Sequence, residues 1–300
     1  MHAEASTQIG ELINKSAKIL DIFSAVDRVR QIRREGIPPG LTTGWTKFDQ
    51  FFKFPPMGQL NVVTGFPGSG KSEWLDSLAL NMAVKHDWKI FNYSPENYPA
   101  EYHLQKLCEK LAGKPFCGNW VGWENVNDDD INLFERLMAE NYTFIDCHIN
   151  SANIDEILNS IFLECINRRV NMAIIDPWNK LESQRGPGQN ETDFVGQCLT
   201  RIQMFTRQKG ISFWIVAHPS KPMKNKDGSL ASLSLYDISG SAHWYNMVDD
   251  GFIVHRNWDD KIGTQNITKI KIAKIKDRRY GKCGEHQFQF EPATGNYREM

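Results

Sequence analysis

Three hundred residues, 41% hydrophobic and 24% charged, supply enough apolar material for one large domain, with or without a small appendage. No stretch approaches the roughly 18 apolar residues of a membrane span, and the polar start MHAEASTQIG has no signal-peptide core, so a soluble, cytoplasmic, non-secreted chain is expected. A net charge of −1 excludes a uniformly basic nucleic-acid binder, yet residues 201–300 hold sixteen Lys/Arg against ten Asp/Glu, which fits either a polyanion met by one face or chance clustering of solvated charge.

Residues 7–35 read as an amphipathic helix, with Ile9, Leu12, Ile13, Leu20, Phe23, Val26, Val29 and Ile32 on one stripe and GIPPG as its stop. This divides the chain into an N-terminal helical segment, 1–39, and a core domain, 40–300. In the core, QLNVVTG (59–65) is a short β-branched run, and SEWLDSLALNMAVK (72–85) places Trp74, Leu75, Leu78 and Met82 at helical spacing. Between them Gly65–Ser72 fits G-x-x-x-x-G-K-[ST], the phosphate-binding loop, in the strand–loop–helix setting that it requires. Gly65, Pro67, Gly68, Ser69 and Gly70 let successive N–H groups face a phosphate chain at a helix N-terminus, where the helix dipole favours anions. Lys71 then reaches the β/γ-phosphates, Ser72 binds Mg²⁺, and Glu73 completes the cofactor-binding set, so ATP or another NTP with Mg²⁺ is expected.

Farther along, KIFNYS (89–94), YTFID (142–146), NMAIID (171–176) and ISFWIVAH (211–218) read as strands, and residues 98–111, 154–169 and 194–208 as helices. This alternation implies an α/β fold, a mostly parallel twisted sheet with helices on both faces. GFIVHR, ITKIKIAKI and EHQFQF are strands that can extend the sheet as an antiparallel edge. Two long polar segments, WNKLESQRGPGQNETD and PSKPMKNKDGSLASLSLYD, interrupt the pattern; loops of that length are functional or disordered. Cys108, Cys117, Cys147, Cys165, Cys198 and Cys283 show no C-x-x-C pairing and are expected as free thiols.

Ligands of open α/β sheets sit at the carboxyl ends of strands. Glu96, after the second strand, either handles the water that attacks a γ-phosphate or opens the next helix. Asp176 ends the apolar MAIID, which suits a carboxylate that meets Mg²⁺ through Ser72 or water, since a buried unpaired Asp is costly. His218 closes IVAH, within reach of a γ-phosphate; a lone His there is also commonly just hydrogen-bonded. AKIKDRRYGK (273–282) sets Lys274, Lys276, Arg278, Arg279 and Lys282 against Asp277 alone, either to protect a sheet edge or to reach a nucleotide on a neighbouring subunit.

The order GLTTGWTKFDQFF, TGFPGSGKS, YSPEN, AIIDPW, IVAHPSK, DISGSAHWYNMVDDGFIVHR and KIKDRRYG resembles the RecA-like helicase domain of DnaB-type replicative ring helicases, on the side of the Twinkle and phage primase–helicase branch. The resemblance covers residues 40–297. It implies a P-loop NTPase core with Lys71 and Ser72 on phosphate and Mg²⁺, Glu96 as catalytic carboxylate, Asp176 as the metal-linked Asp and His218 as γ-phosphate sensor. It further implies that Lys276 and Arg278 act in trans, that Arg256 and Phe290 flank the adenine, and that residues 1–39 form a linker helix on an adjacent subunit. Arg185 and Gly188 in one loop, and Lys221, Lys224, Lys226 and Gly228 in another, would grip single-stranded DNA. Implied partners are single-stranded DNA, a homo-hexamer or heptamer, and primase or other replisome proteins in a bacterial or phage-infected cell, with no membrane. Three features depart from the family pattern: Pro177 after Asp176, a long second loop, and KDRR, which offers Arg279 beside Arg278.

Two other readings stand beside the ring helicase: a filament-forming recombinase of the wider RecA group, and a nucleotide-dependent assembly module whose partners are proteins.

Overall fold

The computed structural model describes residues 20–146, 152–181, 188, 190–220, 232–240, 242–256 and 266–300. Its strands are β1 (Gln59–Thr64), β2 (Ile90–Tyr93), β3 (Tyr142–Phe144), β4 (Met172–Ile175), β5 (Ser212–Val216), β6 (Asp250–Arg256), β7 (Ile267–Ile275), β8 (Gly284–Glu291) and β9 (Asn296–Glu299). Its helices are α1 (Ile22–Glu35), α2 (Lys71–His86), α3 (Ala100–Ala112), α4 (Asp128–Asn141), α5 (Ile154–Asn167), α6 (Glu191–Lys209) and the short α7 (Ala242–Met247). The strands form one nine-stranded sheet in the order β3-β2-β4-β5-β1-β6-β7-β8-β9. Strands β1 to β6 pair in parallel, and β7 to β9 continue as an antiparallel edge.

The period of two along each strand divides the core. In β1, Leu60 and Val62 pack with Ile157, Ile161, Leu199 and Ile202 of α5 and α6, whereas Val63 packs on the other face with Trp74, Leu78 and Met82 of α2. That second face is aromatic: Trp214 of β5 lies 6.2 Å from Trp74 and 5.0 Å from Phe252. Trp45, Phe48, Phe52 and Phe54, from GWTKFDQFFKF ahead of β1, are buried in it too.

Several elements differ from the sequence expectation. Helix α4 is additional: Asn127 and Asp130 form a capping box at its start, and Phe134, Leu137 and Met138 pack on the core at helical spacing. Strand β9 is short and polar, and pairs with β8 only through a tight turn. Helix α3 starts at Ala100 because Pro99 occupies its N-cap. Helix α1 is capped by Asp21 and ended by Gly36 at φ 84°, but buries no residue; Phe23, Val26, Val29 and Ile32 all stay exposed. The expected residues 7–19 of that helix, and Cys147, lie outside the described residues; the other five cysteines are free thiols.

Asp250 opens β6 almost fully buried and accepts the Lys276 backbone N–H at 3.0 Å. Burial pushes its pKa up to about 7 against that hydrogen bond, with the Asp249 charge adding to the rise. Between the unfolded value and about 7 the folded carboxyl therefore binds a proton that the unfolded chain has released. Its contribution to stability is full below the unfolded pKa and is lost as pH rises through 7. Asp250→Asn is expected to remove this slope, with a gain at pH 8 on the order of 2–4 kcal/mol. Melting temperatures of both proteins from pH 5 to 8 check it; parallel curves would contradict it.

Candidate nucleotide-binding site

Strand β1 delivers the chain into residues 65–70, where left-handed backbone at Gly68 (φ 77°) and Gly70 (φ 89°) requires glycine. Gly70 has a second reason: a Cβ there would come within 2.9 Å of the Arg256 guanidinium and the Tyr297 hydroxyl. Helix α2 then begins at Lys71 with no side-chain cap, so its first N–H groups point at the loop with no side-chain partner, the arrangement that suits an anion. Ser69 is buried in the loop with its hydroxyl unpaired, a further donor that fits a phosphate oxygen.

Lys71 is buried, and its ammonium donates to the carbonyls of Gly65 at 2.9 Å and Phe66 at 3.1 Å. Burial lowers its pKa, opposed by the charges of Asp176 and Glu96. Asp176, just past β4, is buried and within reach of the Ser72 side chain. Burial pushes its carboxyl up to about 7; the nearby Ser72 hydroxyl, His103 and Lys71 oppose the rise, and the Asp76 charge adds to it. His218, half-buried past β5, has its pKa lowered by burial and by Lys71, with Glu96 opposing. Lys71, Ser72, Glu96, Asp176 and His218 thus come together from four separate strand ends.

Glu96 stands in a turn closed by Asn97, whose backbone N–H reaches the Ser94 carbonyl at 3.2 Å and whose side chain donates to the Ser94 hydroxyl at 2.7 Å. The Glu96 carboxylate is half-exposed, with Lys180 at 3.8 Å. It does not open the following helix, whose first-turn acid is Glu101. Glu73 turns away from the loop toward α3, pairing with Lys110 at 2.7 Å and Lys106 at 3.3 Å.

Arg256, at the end of β6, lies beside Gly70 but stacks directly on Phe290, 4.1 Å from its ring centre. Arg256 also donates to Thr268 and to Tyr297, both at 3.0 Å, and the Tyr297 hydroxyl reaches the Gly70 carbonyl at 3.3 Å. Tyr297 had no signal in the sequence, because a polar four-residue strand brings it there.

Strand β7 is antiparallel and ends with Ile275 opposite Asp250, so Lys276 and Arg278 lie at the end of the sheet away from the phosphate loop. Lys276 pairs with Asp249 at 2.6 Å. Arg279 is held by Asp277 through Nε at 2.8 and 3.0 Å and through Nη2. Arg278 is exposed and, among the described residues, makes no hydrogen bond or ion pair. Gly188 is exposed at φ 79°, and Asn190 caps α6. Arg185, Lys221, Lys224, Lys226 and Gly228 lie outside the described residues. Among the described residues no helix is long and apolar enough to cross a membrane.

No protein-family model matches the chain. It is 36% identical over 289 residues to the Twinkle homolog protein, chloroplastic/mitochondrial, of Arabidopsis thaliana, a match that covers 93% of this chain and 40% of that protein. It is 25% identical over 281 residues to the replicative DNA helicase DnaB of Mycoplasma genitalium, covering 88% and 57%. The chain thus spans about half the length of the curated relatives it matches. In structure it matches the ATPase domain of G40P with a TM-score of 0.77 at 17% identity, over 94% of this chain and all of that one. It also matches a DnaB-like replicative helicase, from a structure of that helicase and its interactions with primase, with a TM-score of 0.73 at 16% identity, over 100% and 76%. The fold is that of the RecA-like ATPase domains of DnaB-type helicases.

Proposed function

We propose that this chain, similar along 93% of its length to a Twinkle homolog, is the ATP-hydrolysing motor of a replicative DNA helicase, working as a hexameric ring on single-stranded DNA. One observation carries the reading. The buried Asp176 lies close enough to the Ser72 hydroxyl and to the buried Lys71 for both to oppose the rise of its pKa, with Glu96 and His218 close enough to shift or be shifted by the Lys71 charge. A hydroxyl and a carboxylate are hard oxygen donors that fit Mg²⁺, with phosphate oxygens and water as its other ligands. Ser72 and Asp176 would hold the ion, which supplies charge neutralisation at the β- and γ-oxygens.

The remaining roles belong to this chain's residues. Lys71 and the first amides of α2 hold the phosphates. Glu96, half-exposed at the mouth of the site, orients the attacking water and takes its proton. His218 reads the γ-phosphate, and the Pro219–Ile238 bridge ties it to the loop that would grip DNA. Lys276 and Arg278 face away from their own phosphate loop, which favours action on the next subunit's nucleotide. The exposed stripe of α1 favours packing on that neighbour too, and replisome proteins such as primase are proposed partners.

Steady-state ATP hydrolysis with and without single-stranded DNA tests the reading. Turnover is expected to rise several-fold with DNA and to lose the stimulation as salt screens phosphate contacts. DNA-independent turnover by the assembled protein at low salt would end the helicase reading and favour a nucleotide-dependent assembly module.

A further inference from the structure

One buried pair is left unused by this mechanism. Asp76 lies one helical turn beyond Ser72 on α2, on the same face, and its carboxylate accepts a hydrogen bond from His103 Nε2 at 3.0 Å. Both side chains are more than nine-tenths buried. Burial alone would lower the His103 pKa, but the adjacent Asp76 charge raises it above the ordinary value, so the contact favours the charged imidazolium. The bond belongs to a seam along one face of each helix, in which Glu73 meets Lys106 and Lys110 a turn or two farther on. His103 is the member of that seam closest to residues 94–99, the turn that carries Glu96.

Beyond His103 lies a cleft of about 380 Å³, lined also by Asn92, Ser94, Asn97 and Tyr98, so close packing does not hold the turn on that side. Its ties toward the nucleotide include the Ser94 hydroxyl, donating to the Asp176 carbonyl at 3.2 Å, the Lys180 ammonium 3.8 Å from Glu96, and α3 itself. The turn runs directly into α3, so the position of α3 against the phosphate-loop helix bears on where Glu96 stands.

We propose that His103 is a positioning residue: through its buried hydrogen bond to Asp76 it locks the start of α3, and with it the Glu96 turn, onto the helix that carries Lys71 and Ser72. The inference rests on the hydrolytic role given to Glu96 above. A carboxylate displaced by about 1 Å from its water loses rate on the order of 10²-fold without losing substrate, which defines the test. In the full chain with single-stranded DNA, His103→Leu is expected to lower kcat roughly 10- to 100-fold, while KM for ATP and affinity for a fluorescent ATP analogue change less than about threefold. His103→Gln, which keeps an N–H donor, is expected to recover most of kcat. On a Glu96→Gln background His103→Leu is expected to cost nothing further, because the two act through one group.

Should the unpaired Asp76 left behind unfold His103→Leu, the double variant Asp76→Leu with His103→Leu gives the same readout with the charge removed. Unchanged kcat in a folded variant, or a loss that multiplies that of Glu96→Gln, would overturn the inference and leave the helicase reading intact. Full turnover in Glu96→Gln itself would remove Glu96 from the chemistry, and this inference with it.

Discussion

Lys71→Ala is expected to reduce ATP turnover at least 10²- to 10³-fold, the cost of losing one preorganised donor at the charge that develops on the transferred phosphoryl group, and more because the donor is a cation. The melting temperature is expected to stay level or rise. Burial already depresses the Lys71 pKa, so the ammonium sits where the fold alone disfavours it, hydrogen-bonded to two loop carbonyls. Alanine removes that desolvated charge and leaves those carbonyls with water. Such a trade of stability for activity is the mark of a functional residue. Phosphate release and thermal unfolding, measured on the same preparations, separate the outcomes. Turnover within tenfold of wild type would dissociate Lys71 from the chemistry; loss of both turnover and folding would make its role structural.

The parts of the site that were legible in the sequence are those whose chemistry is written contiguously. Gly65–Ser72 spells its own backbone geometry, and Asp176 declares itself by ending an apolar strand on a charge. The sheet was legible for a similar reason, since MAII and SFWIV are buried on both faces and read as short runs that are almost wholly apolar, and QLNVVT reads as a short β-branched run. Contacts that depend on how helices dock were not. Asp76 and His103 are 27 residues apart, and each looks like an ordinary polar residue on an amphipathic helix until α3 is laid against α2. The Arg256–Phe290 stack likewise depends on strand register, and Tyr297 enters only through β9. The basic run AKIKDRRYGK showed positive charge but not its internal accounting. Asp249 and Asp277 engage Lys276 and Arg279, and only folding shows that Arg278 is left over.

That leftover arginine leads to the second large effect. Arg278→Ala is expected to cost about 10³-fold or more in turnover, the range of an arginine finger, while nucleotide binding by each subunit persists. Arg279→Ala is expected to cost far less, because its guanidinium is already committed to Asp277 within its own loop. The direction of β7 gives a sharper test. It carries Arg278 to the end of the sheet opposite the phosphate loop, so under the proposed ring reading Arg278 serves a neighbour's site and the defect is expected to be complementable. Mixing Arg278→Ala with Lys71→Ala subunits before assembly joins an intact phosphate loop to a neighbour's intact arginine at about a quarter of head-to-tail interfaces. Two nearly inactive proteins should then recover a measurable fraction of wild-type hydrolysis, rising and falling with their ratio. Mixed assemblies that form but stay inactive would show that Arg278 does not act across an interface. Unimpaired turnover in Arg278→Ala alone would show that no finger is needed there.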